Sequence, residues 1–280
     1  DSLIGGEGND TINGGDGNDT LKGDVGDDLI KGEKGNDSIE GNKGDDFLIG
    51  GEGKDNLISG EGNDTIEGGP GDDYITADFN GNHVIRGGNG DDNVYARYGT
   101  ELIEGGEGND YLSSAWGKTI RGGNGDDTIS IQYSLDKENS FDELDGEEGY
   151  DILHLDYKMF GFIGEQDLSK ATNFEKVEIS ADGRLVKLSS SVFSKDIIGV
   201  IEARGRGMNV DASKVSDQPL EIIGLNANSY YADELLIGGQ LNDTIYGFSG
   251  DDQLQGGPGN DTLDGGSGID TAIFSGNMLE

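Results

Sequence analysis

The chain has no cysteine and only two histidines, His83 and His154, among 280 residues. Disulfides and thiolate-bound metals are excluded, and two histidines so far apart form no metal-binding or catalytic motif. Basic residues are scarce. Lys and Arg number 19 against 57 Asp and Glu, giving a formal charge of −38. A field of that sign repels nucleic acid and anionic membrane and attracts multivalent cations. No apolar run approaches the ~20 residues that a membrane-spanning helix needs. The His-Glu-x-x-His, Gly-x-Ser-x-Gly and P-loop patterns are missing. Acidic pairs recur so widely that no catalytic carboxylate pair stands out, and no enzyme activity is expected.

What the chain has in excess is glycine, 52 residues, well above the usual share of about 7%. These glycines are not a flexible linker, because they recur at fixed places in a nine-residue unit, Gly-Gly-x-Gly-x-Asp-x-U-x, where U is a large apolar residue. Gly5 to Asn13 reads GGEGNDTIN and Gly14 to Lys22 reads GGDGNDTLK. Eight copies run without a break from Gly5 to Thr76. Further copies begin at Gly87, Gly105, Gly122 and Gly146, and four more span Gly238 to Ile273. Asp1 falls in the sixth place of a unit, so the functional protein is expected to be larger than this chain.

Each place suggests a role. Glycine at the first, second and fourth places permits a tight loop with left-handed backbone and carbonyls turned inward. The seventh to ninth places form a short strand whose eighth residue points inward: Ile12, Leu21, Ile30, Ile39, Leu48, Leu57, Ile66 and Ile75 in the first block. Such strands are not stable alone. Stacked in parallel about 4.8 Å apart, they share a thin aliphatic core. Two units then make one coil, and loops 18 residues apart become neighbours on one edge. Sixth-place carboxylates and loop carbonyls converge between them. An all-oxygen donor set of this kind suits Ca2+ rather than Zn2+ or Cu2+.

The 18-residue spacing sorts the aspartates. One edge carries Asp10, Asp28, Asp46 and Asp64; the other carries Asp1, Asp19, Asp37, Asp55 and Asp73. The second edge continues through Asp92, Asp110 and Asp127. The first degrades into Ala77–Arg86, Ala96–Glu104 and Ser114–Arg121, which keep Ile85, Ile103 and Ile120 but lose the paired glycines and the aspartate. Calcium is therefore expected along one edge only in this part. The altered edge gathers His83, Arg97, Tyr98, Trp116 and Lys118. These are either loops released from ion binding or a ligand-binding face for glycan or a partner, with Trp116 its central residue. The C-terminal block pairs Asp243 with Asp261 and Asp252 with Asp270. In total about twelve Ca2+ are expected, which would bring the charge to roughly −14.

Four stretches follow: residues 1–76, a roll with calcium on both edges; 77–154, a roll with calcium mainly on one edge; 155–237, an irregular, wider solenoid or an inserted β region; and 238–280, a C-terminal roll. In the third, a short helix is expected over Asp167–Asn173, and strands over Lys176–Ser180, Arg184–Leu188, Ile198–Ala203, Met208–Ala212, Leu220–Leu225 and Leu235–Ile237. Val177, Val200 and Ile222 suggest a period near 22 residues.

These glycine–aspartate arrays resemble the hemolysin-type (RTX) calcium-binding repeat proteins. The resemblance implies an all-β, right-handed parallel β-roll or β-solenoid with calcium between stacked loops. It implies as ligands the sixth-place aspartates, Asp10 to Asp127 and Asp243 to Asp270 as named above, and carbonyls of loop glycines: Gly6, Gly8, Gly15, Gly17, Gly51, Gly53, Gly69, Gly71, Gly88, Gly90, Gly106, Gly108, Gly257 and Gly259. Asp24, Glu33 and Asn42 at second places, and Leu241 at a fourth place, depart from the pattern, and weaker binding is expected there. The resemblance also implies export by the type I secretion machinery of a Gram-negative bacterium, with folding in extracellular calcium. The expected role is a calcium-folded module of a large secreted or cell-surface protein, such as an adhesin or surface-layer component. The alternatives are the C-terminal carrier module of an extracellular enzyme or toxin, or a polysaccharide-binding accessory module.

Overall fold

The computed structural model describes residues 1–77, 81–97, 100, 102–114, 119–132, 141–156, 168, 170–180, 185–194, 197–204, 208–225 and 233–274. They fall into two compact units, Asp1–Ile131 with Phe141–Asp151, and Gln132–Ser140 with Ile152–Glu280. Each is a parallel β-solenoid. The described helical structure is a single 3-10 turn, Ser190–Val192.

In the first unit, alternate strands stack into two ladders. One runs in order through Ser2–Glu7, Thr20–Val25, Ser38–Lys43, Asn56–Glu61, Tyr74–Ala77, Asn93–Ala96, Tyr111–Ser114 and Thr128–Ile131. The other runs through Thr11–Asp16, Leu29–Lys34, Phe47–Glu52, Thr65–Pro70, Val84–Asn89, Leu102–Glu107, Thr119–Asn124 and Glu143–Glu148. Registers confirm the 18-residue coil, as in Leu21 opposite Ile39 and Ile30 opposite Leu48.

Most of these strands are longer than expected. They are six residues, not three, and continue through the first three loop places. The backbone explains this. The second-place residue pairs across the ladder, as Asp24 does with Asn42, and the fourth-place N–H of Gly26 donates to the Lys43 carbonyl at 2.8 Å. The three-residue strand does occur in the C-terminal repeats, at Thr244–Tyr246, Gln253–Gln255 and Thr262–Asp264.

Eighth-place residues form the core. Leu21, Ile30, Ile39, Leu48, Leu57, Ile66 and Ile75 are fully buried, and so are Ile85, Ile103 and Ile120 on the degenerate edge. The first place, two residues later, also points inward. It is glycine in most regular repeats and Ala77, Ala96, Ser114 or Ile131, all buried, where the repeat has decayed.

The second unit uses wider rungs. One ladder runs Ile152–Asp156, Lys176–Ser180, Gly199–Ala203, Leu220–Ile223, Thr244–Tyr246 and Thr262–Asp264; the other runs Leu185–Ser189, Asn209–Lys214, Leu235–Ile237, Gln253–Gln255 and Thr271–Ala272. Every strand expected between Lys176 and Ile237 is present within a few residues. Two expectations need correction. Ala171–Thr172 pairs as a short strand where a helix is expected; Asp167 and Ser169 lie outside the described residues. The inward residue between Val177 and Ile222 is Ile201, not Val200, because Val177 stands opposite Ile201 and Ile201 opposite Ile222. These rungs bury extra side chains, including Phe174, Val192 and Phe193.

A core this thin should be sensitive to single deletions. Leu48→Ala is expected to cost about 2–5 kcal/mol in saturating calcium, while Ile4→Ala, at a side chain 62% exposed, stays within about 0.5 kcal/mol. Urea unfolding followed by circular dichroism tests this, and equal losses would contradict the aliphatic column.

Candidate metal sites along the loop edges

The sixth-place aspartates form two stacked columns in the first unit. Within each, the backbone N–H of one aspartate donates to Oδ1 of the next rung: Asp10 to Asp28 at 2.7 Å, Asp28 to Asp46 at 2.8 Å and Asp46 to Asp64 at 2.9 Å. The second column runs from Asp19 through Asp37, Asp55, Asp73, Asp92 and Asp110 to Asp127, with bonds of 2.7–2.8 Å. Asp1 heads it with its terminal amine on Asp19.

Oδ1 is thus satisfied by backbone, but Oδ2 is not. In Asp10, Asp19, Asp28, Asp37, Asp46, Asp55, Asp64, Asp73, Asp92, Asp110 and Asp127 this oxygen is buried without a hydrogen-bond partner. A solitary buried carboxylate oxygen is costly, and here it recurs once per loop.

The orphan oxygen meets a carbonyl. A Cβ placed on Gly50 would lie 2.5 Å from Asp55 Oδ2 and 2.6 Å from the carbonyl oxygen of Gly68 on the next rung. For Gly5 the figures are 2.6 Å to Asp10 Oδ2 and 2.9 Å to the Gly23 carbonyl. Two oxygens from adjacent rungs therefore converge where only glycine leaves room. First-place carbonyls were not among the ligands expected from sequence. Those that were, Gly6, Gly8, Gly15, Gly17, Gly51, Gly53, Gly69, Gly71, Gly88, Gly90, Gly106, Gly108, Gly257 and Gly259, all adopt φ between 97° and 143°. Asp24, Glu33 and Asn42 follow the same loop path with φ of 76–78°.

The fifth place has a function hidden by its "x". Its Asn or Asp side chain accepts the backbone N–H of the following rung: Asp27 N to Asn9 Oδ1 at 3.0 Å, Asp45 N to Asp27 Oδ1 at 2.9 Å and Asn63 N to Asp45 Oδ1 at 2.7 Å. This ladder runs opposite in sense to the aspartate ladder beside it.

Sequence reading missed two carboxylates. Asp151, in the imperfect copy after Gly146, extends the long column: it is fully buried, and Asp127 N–H donates to its Oδ1 at 2.8 Å. Glu234 is buried with Oε1 unpartnered. In the C-terminal repeats Asp243 N donates to Asp261 Oδ1 and Asp252 N to Asp270 Oδ1, both at 3.0 Å. Asp252 Oδ2 is an orphan, whereas Asp243 Oδ2 takes the Gly239 N–H at 2.6 Å.

The altered edge differs from expectation at His83. It is fully buried rather than part of a surface, and it occupies the sixth place above Asp64, accepting the Asp64 N–H through Nδ1 at 3.3 Å. It lies the same distance from Asp64 Oδ2. Arg97 lies on the surface; Tyr98, Trp116 and Lys118 lie outside the described residues.

These donors are hard oxygens stacked in acidic columns, which fits Ca2+ and gives a softer metal no nitrogen or sulfur ligand along the regular edges. Without a cation several of the column carboxylates hold protons more tightly than usual. Burial is the main cause, with neighbouring carboxylates adding to it and the donated backbone N–H opposing it. Asp46, Asp55, Asp73, Asp110 and Asp252 are pushed up to about 6, and Asp92 and Asp127 up to about 8.

Because these values exceed the unfolded value of about 4, the folded ion-free chain binds more protons than the unfolded chain between pH ~4 and ~8. Its stability therefore falls as pH rises through that window. Calcium needs ionised carboxylates, so its affinity changes the other way. In chelator, acidification from pH 8 to 5 is expected to increase the far-UV β signal. With calcium present, the same change should raise the half-saturating concentration. A chelated chain indifferent to pH would contradict a buried carboxylate column.

The sequence model for the RTX calcium-binding nonapeptide repeat matches residues 1–30, 22–57, 49–83, 78–112, 119–130 and 237–272. No curated protein matches the chain. The matched stretches cover more than half of the residues and coincide with the stacked aspartate loops, so the chain belongs to the family of RTX calcium-binding repeat proteins.

Proposed function

We propose that the chain is a calcium-dependent folding module of a large secreted or cell-surface bacterial protein, with a structural, adhesin-like or surface-layer-like role and no catalysis of its own. RTX repeats bind calcium; the proposal adds where the ions sit and what they do. The sixth-place aspartates are the carboxylate ligands, from Asp10 to Asp151 in the first unit and Asp243 to Asp270 in the second. Loop carbonyls, including those of first-place glycines, complete each site. About twelve ions fill the gaps counted from sequence, and Asp151 adds one gap to the long edge. The four stretches 1–76, 77–154, 155–237 and 238–280 differ in which edges carry ions.

The observation that carries this reading is the row of buried, unpartnered Oδ2 atoms repeated rung after rung. Apart from the terminal amine of Asp1 on Asp19 and His83 beside Asp64, the described ion pairs of the first unit join Lys and Arg to half-buried or exposed glutamates such as Glu40 and Glu104, not to the columns. Ligand binding that exists only in the folded state stabilises that state by mass action. In a calcium-poor compartment the repulsion keeps the chain open, which suits threading through type I export machinery; in extracellular calcium the columns close.

Titrating Ca2+ into the chelator-treated protein tests the proposal. A cooperative gain of β signal together with a smaller hydrodynamic radius is expected between sub-millimolar and millimolar calcium, within the range of extracellular modules. A chain equally compact and β-rich in chelator would remove the folding role.

A further inference from the structure

We propose that Glu234, which lies just before the 237–272 stretch that the family model matches, forms an additional Ca2+ site in the second unit together with the carbonyl of Gly247. The proposal rests on reading the aspartate loops as calcium sites and extends that reading to a segment with no nonapeptide signature.

Backbone geometry places Asp233 and Glu234 in the fifth and sixth places of a loop. Glu234 N–H donates to Asp252 Oδ1 at 2.9 Å, as Asp252 N–H donates to Asp270 Oδ1 at 3.0 Å. The Glu234 carbonyl accepts from Gln253 N at 2.8 Å, as that of Asp243 does from Thr262 N. Asp233 Oδ1 accepts from Asp251 N at 2.9 Å, the fifth-place bond of the regular repeats.

The first place agrees. Along one ladder of this unit the inward first-place residues are the buried Leu155, Ile179 and Ala203. Glycine first appears in this row at Gly224, the rung to which Glu234 belongs. A Cβ on Gly224 would lie 2.7 Å from Glu234 Oε2 and 2.7 Å from the Gly247 carbonyl. The equivalent point at Gly247 lies 2.5 Å from Asp252 Oδ2 and 2.7 Å from the Gly265 carbonyl. Carboxylate and next-rung carbonyl approach the same point, but the glutamate oxygen nearest the carbonyl is Oε2, and the unpartnered one is Oε1.

The second oxygen asks for a cation. Glu234 is 2% exposed; Oε2 accepts the Leu225 N–H at 3.3 Å, while Oε1 has no partner. Among the described residues, no ion pair involves Glu234. An ion there would lengthen the column Asp252–Asp270 by one gap and clamp a wide rung to the nonapeptide rungs that follow it.

Crystals of the chain grown with calcium, with anomalous difference density, test this directly. A peak is expected beside the Glu234 carboxylate and the Gly247 carbonyl. Peaks along the aspartate loops but none at Glu234 would overturn the proposal and leave the calcium reading intact; no peaks at all would remove both. In solution, native mass spectrometry at saturating calcium should show one ion fewer in Glu234→Gln than in the unsubstituted chain, with Asp46→Asn as the reference that must also lose an ion. An unchanged ion count in Glu234→Gln beside a loss in Asp46→Asn would again overturn it. The crystal experiment needs no variant, so a folding failure of Glu234→Gln leaves the question decidable.

Discussion

Everything in the regular rungs depends on one electrostatic constraint: carboxylates stacked one per coil, with an oxygen of each buried and unpaired. Strands in adjacent coils lie about 4.8 Å apart, so the charges cannot be moved away from one another without breaking the ladder. Burial forbids water from screening them. Protons or a multivalent cation must supply the compensation, and of the two only the cation does so while leaving Asp46, Asp55 and Asp73 ionised. The same columns hold the loops in register, because each Oδ1 takes the N–H of the preceding rung. Charge compensation and backbone order are therefore one event in this molecule.

That constraint couples two places of the repeat that are far apart in the unit. A first-place side chain would collide with the sixth-place carboxylate oxygen of its own loop, as the 2.5 Å approach at Gly50 shows. A change at the first place is therefore tied to a change at the sixth. On the degenerate edge both have changed: Ala77, Ala96 and Ser114 replace the glycine in loops that no longer present an aspartate. Ser59 with Asp64 marks the boundary, a first-place side chain beside a retained carboxylate, and the next rung has already replaced aspartate with His83.

Much of this was legible in the sequence because the repeat writes each role at a fixed place. The inward aliphatic row, the 18-residue coil, the two edges and the loss of one of them follow from counting. What counting missed were roles that survive a change of residue or spacing. Asp151 follows an insertion, so the 18-residue rule no longer reached it. Glu234 follows a loop with none of the second- and fourth-place glycines, and its place is visible only from the bonds to Asp252 and Gln253. The fifth-place ladder was hidden because Asn and Asp share the task and neither is invariant. The six-residue strands were missed because glycine disfavours a strand as an isolated residue, whereas here ladder pairing continues through the first loop places despite their positive φ. Val200 and Ile201 exchanged roles because a period averaged over unequal rungs fixes a position only to within a residue, and one residue reverses the face.

The wide rungs show the alternative solution to the same problem. A parallel coil must fill the space between its two sheets at the turns, or lose the packing that keeps backbone groups dry. Between Ile152 and Ile223 the filling is hydrocarbon: Leu155, Ile179 and Ala203 along one ladder, Leu188 and Ala212 along the other, with Phe174 and Phe193 in the longer turns. In the nonapeptide rungs the same space holds a glycine, a carboxylate oxygen and a carbonyl. Hydrocarbon closes a rung in any medium, whereas an oxygen cage closes only when a cation is present. On the proposed function, the chain alternates between rungs that fold on their own contacts and rungs that respond to calcium, and the response is confined to places where the first residue is small enough to leave the ion its room.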